Sequence, residues 1–110
     1  MIEKSFNIFL RGSLTPMILS ELKEGPKHGY GIINCFRKKT GVYYGPSTIY
    51  PLLIELEGRK LVKSNWDFSC KTGRPQKVYT LTKEGEEFLY QISIQITTVL
   101  TETQLLTRRV

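Results

Sequence analysis

Few side chains in this sequence of 110 residues are of the kinds that build catalytic or metal sites. His28 is the one histidine, and the two cysteines, Cys35 and Cys70, lie far apart and outside any CxxC motif. A metal site needs several closely spaced ligands, and group transfer needs a nucleophile with its base or a glycine-rich phosphate loop. The sequence contains none of these sets. We therefore expect that the protein is not an enzyme, holds no metal or cofactor, and keeps both thiols reduced.

Hydroxyl, phenol and basic side chains are instead concentrated in two short segments. These are Tyr43, Tyr44, Ser47, Thr48 and Tyr50 in the first segment, and Lys71, Arg74 and Lys77 in the second. Side chains of these types contact base edges and phosphate oxygens. The formal net charge of +6, from 16 Lys and Arg against 10 Asp and Glu, attracts either a nucleic acid or a membrane surface.

Glycines, prolines and apolar spacing divide the chain into the elements that would carry these segments. Residues 1–12 are expected to form a short helix or an arm that packs against another subunit. Ser13 is a candidate N-cap for a first helix, with Pro16 tolerated in its first turn. The remaining elements are predicted as helices over 30–40 and 46–58, strands over 61–68 and 76–81, and a long helix after Thr82.

The long final helix carries an apolar seam. Its residues are spaced alternately by four and three, which is a heptad rhythm: Gly85, Leu89, Ile92, Ile96, Val99, Thr103 and Leu106. The alternation of isoleucines at 92, 94 and 96 would also suit a strand, but the longer pattern favours a helix. The seam packs either on the first helix of the same chain or, as we expect, on a second subunit.

Helix, helix, helix, hairpin and helix, in that order, make up a winged helix-turn-helix with an added C-terminal helix. The predicted fold class is α+β, mainly α with a small β-hairpin. In such proteins the third helix enters the major groove, and the hairpin, or wing, contacts the adjacent backbone or minor groove. We expect residues 1–81 to form the DNA-binding domain, with residues 1–12 as its N-terminal arm, and residues 82–110 to form the dimerisation helix.

Four segments, in order over roughly residues 10–90, resemble the PadR-like family of transcriptional regulators. Residues 27–32 (KHGYGI) resemble the HGY-x-I start of the family's second helix, and residues 46–53 (PSTIYPLL) resemble its TLYP-x-L recognition helix. Residues 56–62 (LEGRKLV) resemble its LE-x-x-GLV stretch. Residues 73–85 (GRPQKVYTLTKEG) resemble its wing and the start of its last helix.

The resemblance implies a DNA-binding homodimer, usually a repressor and often released by a small molecule. The chain departs from the family pattern at Ile49, which replaces a leucine, and at Gln76, which replaces an arginine and removes one phosphate contact. Lys60 replaces a glycine, so we expect a different turn there. In some shorter members, flat hydrophobic ligands stack on a tryptophan of the last helix. Here the one tryptophan, Trp66, lies on the wing strand, which argues against such a pocket.

The candidate DNA contacts combine the residue types with the resemblance. They are Lys27, His28, Tyr30, Tyr44, Ser47, Thr48, Tyr50, Lys71, Arg74 and Lys77. His28 is more simply a hydrogen-bonding residue at a helix start, and Tyr30 and Tyr50 are either core residues or phosphate contacts through their hydroxyls. The candidate dimer contacts are Phe6, Phe9, Leu89, Ile92, Ile96, Val99 and Leu106.

The sequence therefore predicts a sequence-specific DNA-binding transcription regulator, a homodimer that represses from a palindromic operator in double-stranded DNA. The alternative is a winged-helix module that binds protein, against which the basic wing argues. No apolar run reaches 18 residues and the N-terminus lacks a signal-peptide pattern, so we expect a cytoplasmic protein without a membrane partner.

Overall fold

The computed structural model describes the backbone of residues 2–69, 71 and 73–108, and the side chains of residues 12–69, 71 and 73–106. Cys70 and the side chains of Phe6 and Phe9 lie outside this described part. Its elements are α1 (Ile2–Lys23), β1 (Lys27–His28), α2 (Gly29–Thr40), α3 (Pro46–Gly58), β2 (Val62–Asp67), β3 (Gln76–Leu81) and α4 (Lys83–Arg108). The mainly helical fold with a small antiparallel sheet confirms the predicted fold class.

The first helix differs from the prediction. α1 runs unbroken from Ile2 to Lys23, so Ser13 is not an N-cap and residues 2–12 are neither an arm nor a separate short helix. Pro16 lies inside this helix, where it removes one backbone hydrogen bond. On either side of the proline, α1 buries apolar side chains, namely those of Leu14, Ile18, Leu19 and Leu22. Burial of these groups offsets the lost bond, which the local sequence pattern could not reveal.

One hydrophobic core lies between the first three helices, the sheet and the start of α4. Its buried side chains are Leu14, Ile18, Leu19, Leu22, Ile32, Ile33, Phe36, Ile49, Leu52, Leu53, Leu56, Leu61, Val62, Tyr79 and Leu89. The contribution of α3 is a stripe with helical spacing, from Ile49 to Leu56. Because this stripe faces the core, the opposite face of α3 is turned outward.

The sheet has three strands where the sequence predicted two. The strand order is β1-β3-β2, all antiparallel, with His28 opposite Val78 and Trp66 opposite Lys77. β1 has only two residues, Lys27 and His28, which is too short for an alternating pattern. This strand exists because the chain between α1 and α2 runs beside β3, a contact across about 50 residues that local spacing cannot predict.

The turn after α3 keeps a glycine-like geometry although a lysine occupies it. Lys60 has a φ of 63°, in the left-handed region. Its N–H donates to the Glu57 carbonyl and the Leu61 N–H donates to the Leu56 carbonyl, each at 3.0 Å. These two bonds form a Schellman motif, and the buried Leu56 and Leu61 supply its usual apolar pair. The expectation of a different turn at Lys60 is therefore wrong, because the motif tolerates a strained residue when its hydrogen bonds are made.

The start of α4 crosses this turn closely. Thr82 caps the helix as predicted, since its Oγ1 accepts a hydrogen bond from the Gly85 N–H at 2.9 Å. The same hydroxyl lies 2.7 Å from the Lys60 carbonyl oxygen and 2.9 Å from that of Leu61. A Cβ on Gly85 would overlap the Leu61 carbonyl oxygen. Gly85 thus allows the helix to pass directly over the turn.

Beyond its first two turns, α4 projects from the body of the molecule. Leu89 is 8% exposed and belongs to the core, whereas Val99 and Leu106 are 61% and 66% exposed. The molecule is accordingly elongated, with extents of 58 × 30 × 26 Å. No helix within the described residues combines the length and the apolar content that crossing a membrane would require.

Candidate nucleic-acid interface

The outward face of α3 begins at an open helix N-terminus. Gly45 is the N-cap and offers no side-chain cap, and Pro46 opens the helix. The first backbone N–H groups therefore give this end a partial positive charge that attracts anions. Ser47 is exposed next to it and Thr48 is half-buried. Both predicted hydroxyl groups thus lie at the end of α3 that favours phosphate.

Two tyrosines join the starts of α2 and α3. The rings of Tyr30 and Tyr50 meet edge to face, with centroids 6.2 Å apart. Tyr50 also lies over Gly29, where an added Cβ would be 2.5 Å from the Tyr50 ring. Burial, with a smaller contribution from Tyr30, raises the pKa of Tyr50 above its ordinary value. The Tyr50 phenol therefore stays protonated at neutral pH and can donate a hydrogen bond to a phosphate.

Tyr44 is turned toward the core rather than fully outward. It is half-buried, and its ring meets the Phe36 ring edge to face at 6.1 Å. Its neighbour Tyr43 is 59% exposed. The structure thus separates these adjacent phenols, and Tyr43 has the more accessible ring.

The hairpin formed by β2, β3 and their connecting loop (residues 62–81), called the wing below, is basic. Its charged side chains are four basic ones and one acidic one: Lys63, Lys71, Arg74, Lys77 and Asp67. Lys71 and Arg74 are exposed on the loop. Lys77 extends over the Trp66 ring opposite it, with Nζ 5.4 Å from the ring centroid, which is a cation–π arrangement.

The acidic residue of the wing is engaged within the protein. Asp67 Oδ2 lies 3.0 Å from His28 Nε2, which links the outer strands β1 and β2. Its Oδ1 accepts a hydrogen bond from the Ser69 N–H at 2.9 Å. The His28 side chain does not cap α2. His28 is thus a hydrogen-bonding residue as expected, but its partner is on the wing and not on its own helix.

Another carboxylate holds the wing against α3. Glu57 Oε2 accepts hydrogen bonds from the Ser64 N–H at 3.0 Å and from the Ser64 hydroxyl at 2.6 Å. The neighbouring Tyr79 is buried, and this burial, helped by the Glu57 charge, raises the pKa of Tyr79. These contacts fix the first half of the wing to the end of the helix beside it.

A groove of about 340 Å³ separates α3 from the wing, and we call it the α3–wing groove. Its lining includes His28, Tyr30, Tyr50, Ile54, Trp66 and Lys77. The fold therefore brings together four of the predicted DNA contacts, one each from β1, α2, α3 and β3: His28, Tyr30, Tyr50 and Lys77. Lys27 lies on β1, and Ser47, Thr48, Lys71 and Arg74 lie outside the groove lining.

Sequence reasoning missed Ile54, and it placed Trp66 on the wing strand without assigning it to a binding surface. Ile54 is 66% exposed and Trp66 is 57% exposed. A sign was available for Ile54, because it falls outside the buried stripe of α3 that runs from Ile49 to Leu56. For Trp66 the alternation of β2 gave no such sign. Trp66 lies on the same strand face as the buried Val62, but at the end of the strand where that face is exposed.

A second apolar surface lies on α4. Its exposed side chains on the seam include Ile96, Val99 and Leu106 among the described residues, and Ile94, Leu100 and Leu105 are exposed outside the seam. Ile92 is half-buried and Leu89 packs in the chain's own core, so little of Leu89 remains for a second subunit. The predicted seam is thus divided between the core and solvent.

Beside this surface, α1, α2 and α4 enclose a groove of about 920 Å³. Lys39 donates hydrogen bonds to Oε1 of the buried Glu21 at 2.6 Å and to Oε1 of Glu24 at 3.3 Å. The bond to Glu21 raises the pKa of Lys39. Lys39, from the basic end of α2, is therefore engaged in an ion pair with α1. Within the described residues, no three His, Cys, Asp or Glu side chains cluster as a metal site requires.

Comparison with known proteins gives consistent matches. The model of the transcriptional regulator PadR-like family matches residues 18–91. A PadR-like transcription factor from Bacteroides fragilis superposes with a TM-score of 0.83 at 25% identity, covering 94% of this chain and 98% of that chain. PadR from Bacillus subtilis, solved in complex with operator DNA, has a TM-score of 0.69 at 30% identity, covering 74% of this chain and 47% of that chain.

A curated relative is much longer than this chain. It is an uncharacterized 37.1 kDa protein in transposon TN4556 of Streptomyces fradiae, 34% identical over 73 residues. The match covers 66% of this chain but only 20% of that protein.

Proposed function

Because the chain belongs to the PadR-like family of transcriptional regulators, which bind DNA and are not enzymes, we propose that it represses transcription as a homodimer on a palindromic operator. The observation that carries the proposal is the α3–wing groove, which places an outward helix face beside a basic hairpin. A helix of this kind enters the major groove while a wing follows the phosphates next to it. The B. subtilis relative, solved with operator DNA, supports this arrangement.

The proposed contacts divide into two kinds. Ser47, Thr48 and Tyr50, near the N-terminus of α3, are within reach of base edges and the nearest phosphates. Lys27, His28, Tyr30, Lys71, Arg74 and Lys77 surround them and would contact the sugar–phosphate backbone. Base contacts specify the sequence, whereas backbone contacts position the protein on any sequence.

The homodimer is proposed from the exposed part of α4. Ile96, Val99 and Leu106 continue the seam that Leu89 begins in the core. An apolar surface of this length is unusual for a monomer and is typical of an interface. For such a dimer to bind two half-sites, its two-fold symmetry must place the two α3 helices on successive turns of DNA, about 34 Å apart. A palindromic operator is the consequence of that symmetry.

Selection of bound duplexes from a random pool tests the proposal. We expect a motif with two inverted half-sites whose centres are about 10 base pairs apart. Binding to the selected duplex should weaken steeply with salt, because Lys and Arg displace counterions from phosphate. A winged-helix module that binds only protein would select no motif and would show no salt-dependent binding to DNA.

Repression is tested separately from binding. A reporter gene placed behind the selected motif should be expressed less when the protein is present. Unchanged expression with intact binding would contradict the repressor role alone, and higher expression would identify an activator.

A further inference from the structure

The outward face of α3 lacks the side chains that most often read purines. Between Pro46 and Gly58 there is no Arg, Lys, Asn or Gln. These four residue types make the bidentate contacts to guanine and adenine in the major groove. Base reading by α3 therefore depends on hydroxyl groups, apolar contacts and the exposed Glu55, because the other carboxylate of the helix, Glu57, is bonded to Ser64.

Ile54 is the largest exposed aliphatic side chain on this face. It is 66% exposed, and it follows Ser47 by seven residues, which is about two turns, so the two lie on the same side of α3. The buried stripe of α3, from Ile49 to Leu56, lies on the other side and does not need it. Pro51, also exposed, occupies the turn between them.

The surroundings of Ile54 are apolar at the base of the groove and basic at its edge. Trp66, 57% exposed, lines the same α3–wing groove from the wing side. Lys77 lies over the Trp66 ring and provides the positive charge there. A single exposed isoleucine needs no explanation. An isoleucine on the DNA-facing helix, next to a phosphate-attracting edge, is placed to contact an apolar group on DNA.

We propose that Ile54 reads the 5-methyl group of a thymine in each operator half-site, an inference that rests on the proposed DNA-binding function. Thymine is the one standard base that presents a methyl group in the major groove, and apolar side chains contact it there. α3 rises about 1.5 Å per residue, so Ile54 lies roughly 10 Å along the helix from Ser47. The thymine is therefore expected roughly three base pairs from the bases nearest Ser47.

The test removes the methyl group and leaves every hydrogen-bonding group of the base in place. A duplex selected from the random pool is resynthesised with deoxyuridine in place of one thymine at a time. For the wild-type protein, substitution at one position in each half-site is expected to weaken binding about three- to tenfold, as burial of a methyl-sized group implies. For Ile54→Ala, binding to the thymine duplex weakens similarly, and deoxyuridine then has no further effect.

Two variants serve as controls. Ile54→Val retains most of the apolar surface and should retain a reduced sensitivity to deoxyuridine. Tyr90→Ala removes an exposed ring from α4 and should leave the sensitivity unchanged. Because Ile54 is exposed, the thermal unfolding of Ile54→Ala should match that of the wild type, which separates recognition from folding.

The outcomes distinguish this inference from the function on which it rests. A wild-type protein that binds the selected duplex but is insensitive to deoxyuridine at every position overturns the thymine contact and leaves DNA binding intact. An Ile54→Ala variant that keeps the full sensitivity assigns the methyl contact to another residue and also overturns it. A wild-type protein that selects no duplex overturns both.

Discussion

Close backbone contact determines which residue is allowed where α4 crosses the turn after α3. The Leu61 carbonyl lies where a Cβ of Gly85 would be. The Thr82 hydroxyl is bound to the same stretch of backbone and caps the helix that passes over it. A side chain at position 85 would therefore push apart two main-chain segments, which cannot relax by rotating a side chain.

Gly85→Ala is expected to lower the free energy of unfolding by about 2–3 kcal/mol, because overpacking against backbone forces the helix to shift. Urea unfolding followed by circular dichroism measures the change. Gly58→Ala is the matched control, since no atom lies within 4 Å of its added Cβ and alanine favours a helix. Equal free energies of unfolding for the two alanine variants would contradict the close contact between Gly85 and the Leu61 carbonyl.

Lys60 is a second residue that affects stability through its backbone conformation and not through side-chain contacts. Its φ of 63° is unfavourable for any residue with a Cβ. Lys60→Gly should raise the free energy of unfolding by about 0.5–1 kcal/mol. This is the backbone strain that glycine removes, reduced by the cost of the greater flexibility of glycine in the unfolded chain. Lys60→Ala removes the same charge but keeps the strain, so it should give no gain in the same urea titration. If Lys60→Ala raised the free energy of unfolding as much as Lys60→Gly, the effect would come from the lost charge and not from the backbone.

At the scale of elements, the wing depends on two carboxylates, Glu57 and Asp67, that hold it to its neighbours in the fold. Glu57 fixes Ser64 to the end of α3, and Asp67 connects β2 to His28 on β1. With Asp67 engaged, the exposed loop presents Lys71 and Arg74 without a neighbouring acid among the described residues of the wing. The wing is therefore both held beside α3 and positively charged at its tip.

Changing Lys71 and Arg74 together to Ala should weaken binding to all DNA sequences. The slope of log affinity against log salt should fall by about two, because two phosphate contacts are lost. The control pair is Lys23→Ala with Lys83→Ala, which removes the same charge from the surface that α1 and α4 share. If the slope of log affinity against log salt fell equally in both double variants, the effect would be due to net charge and not to contacts made by the wing.

At the scale of the whole molecule, α4 lies in two environments along its length. Its first turns complete the core of its own chain through Leu89, and its later turns present apolar side chains to solvent. Burial of each such side chain is worth about 1.5–3 kcal/mol, so several from each subunit can outweigh the entropy lost on association. In the proposed two-fold dimer, DNA binding would depend on α4 as well as on α3.

Ile96→Asp is expected to give monomers or unfolded chains that no longer bind the operator. In a symmetric pair the change would bury two unpaired carboxylates near each other. Light scattering should report twice the 12.7 kDa chain mass for the wild type and a single chain mass for a folded variant. Ile94→Asp introduces the same charge on the opposite side of α4, outside the seam, and should remain dimeric.

A wild type that is monomeric at micromolar concentration would contradict the dimer. A folded, monomeric Ile96→Asp with full operator affinity would show that dimerisation and DNA binding are independent.

Local spacing and short motifs were enough to predict the family and the order and type of most elements. Helical spacing predicted α3 at residues 46–58, and the capping role of Thr82 followed from its position before α4. These features depend on residues within one or two turns of each other, and short-range spacing records them directly. The four motif segments could likewise be recognised without knowing how they meet.

Packing of the folded chain produced the features that depend on contacts between distant segments. It made α1 continuous through Pro16, because burial in the core outweighs the lost hydrogen bond. It formed β1 only where Lys27 and His28 meet β3, and it paired His28 with Asp67 across the sheet. It also left Ile54 exposed beside Trp66, because the groove between α3 and the wing exists only after α3 and the sheet have packed on the same core.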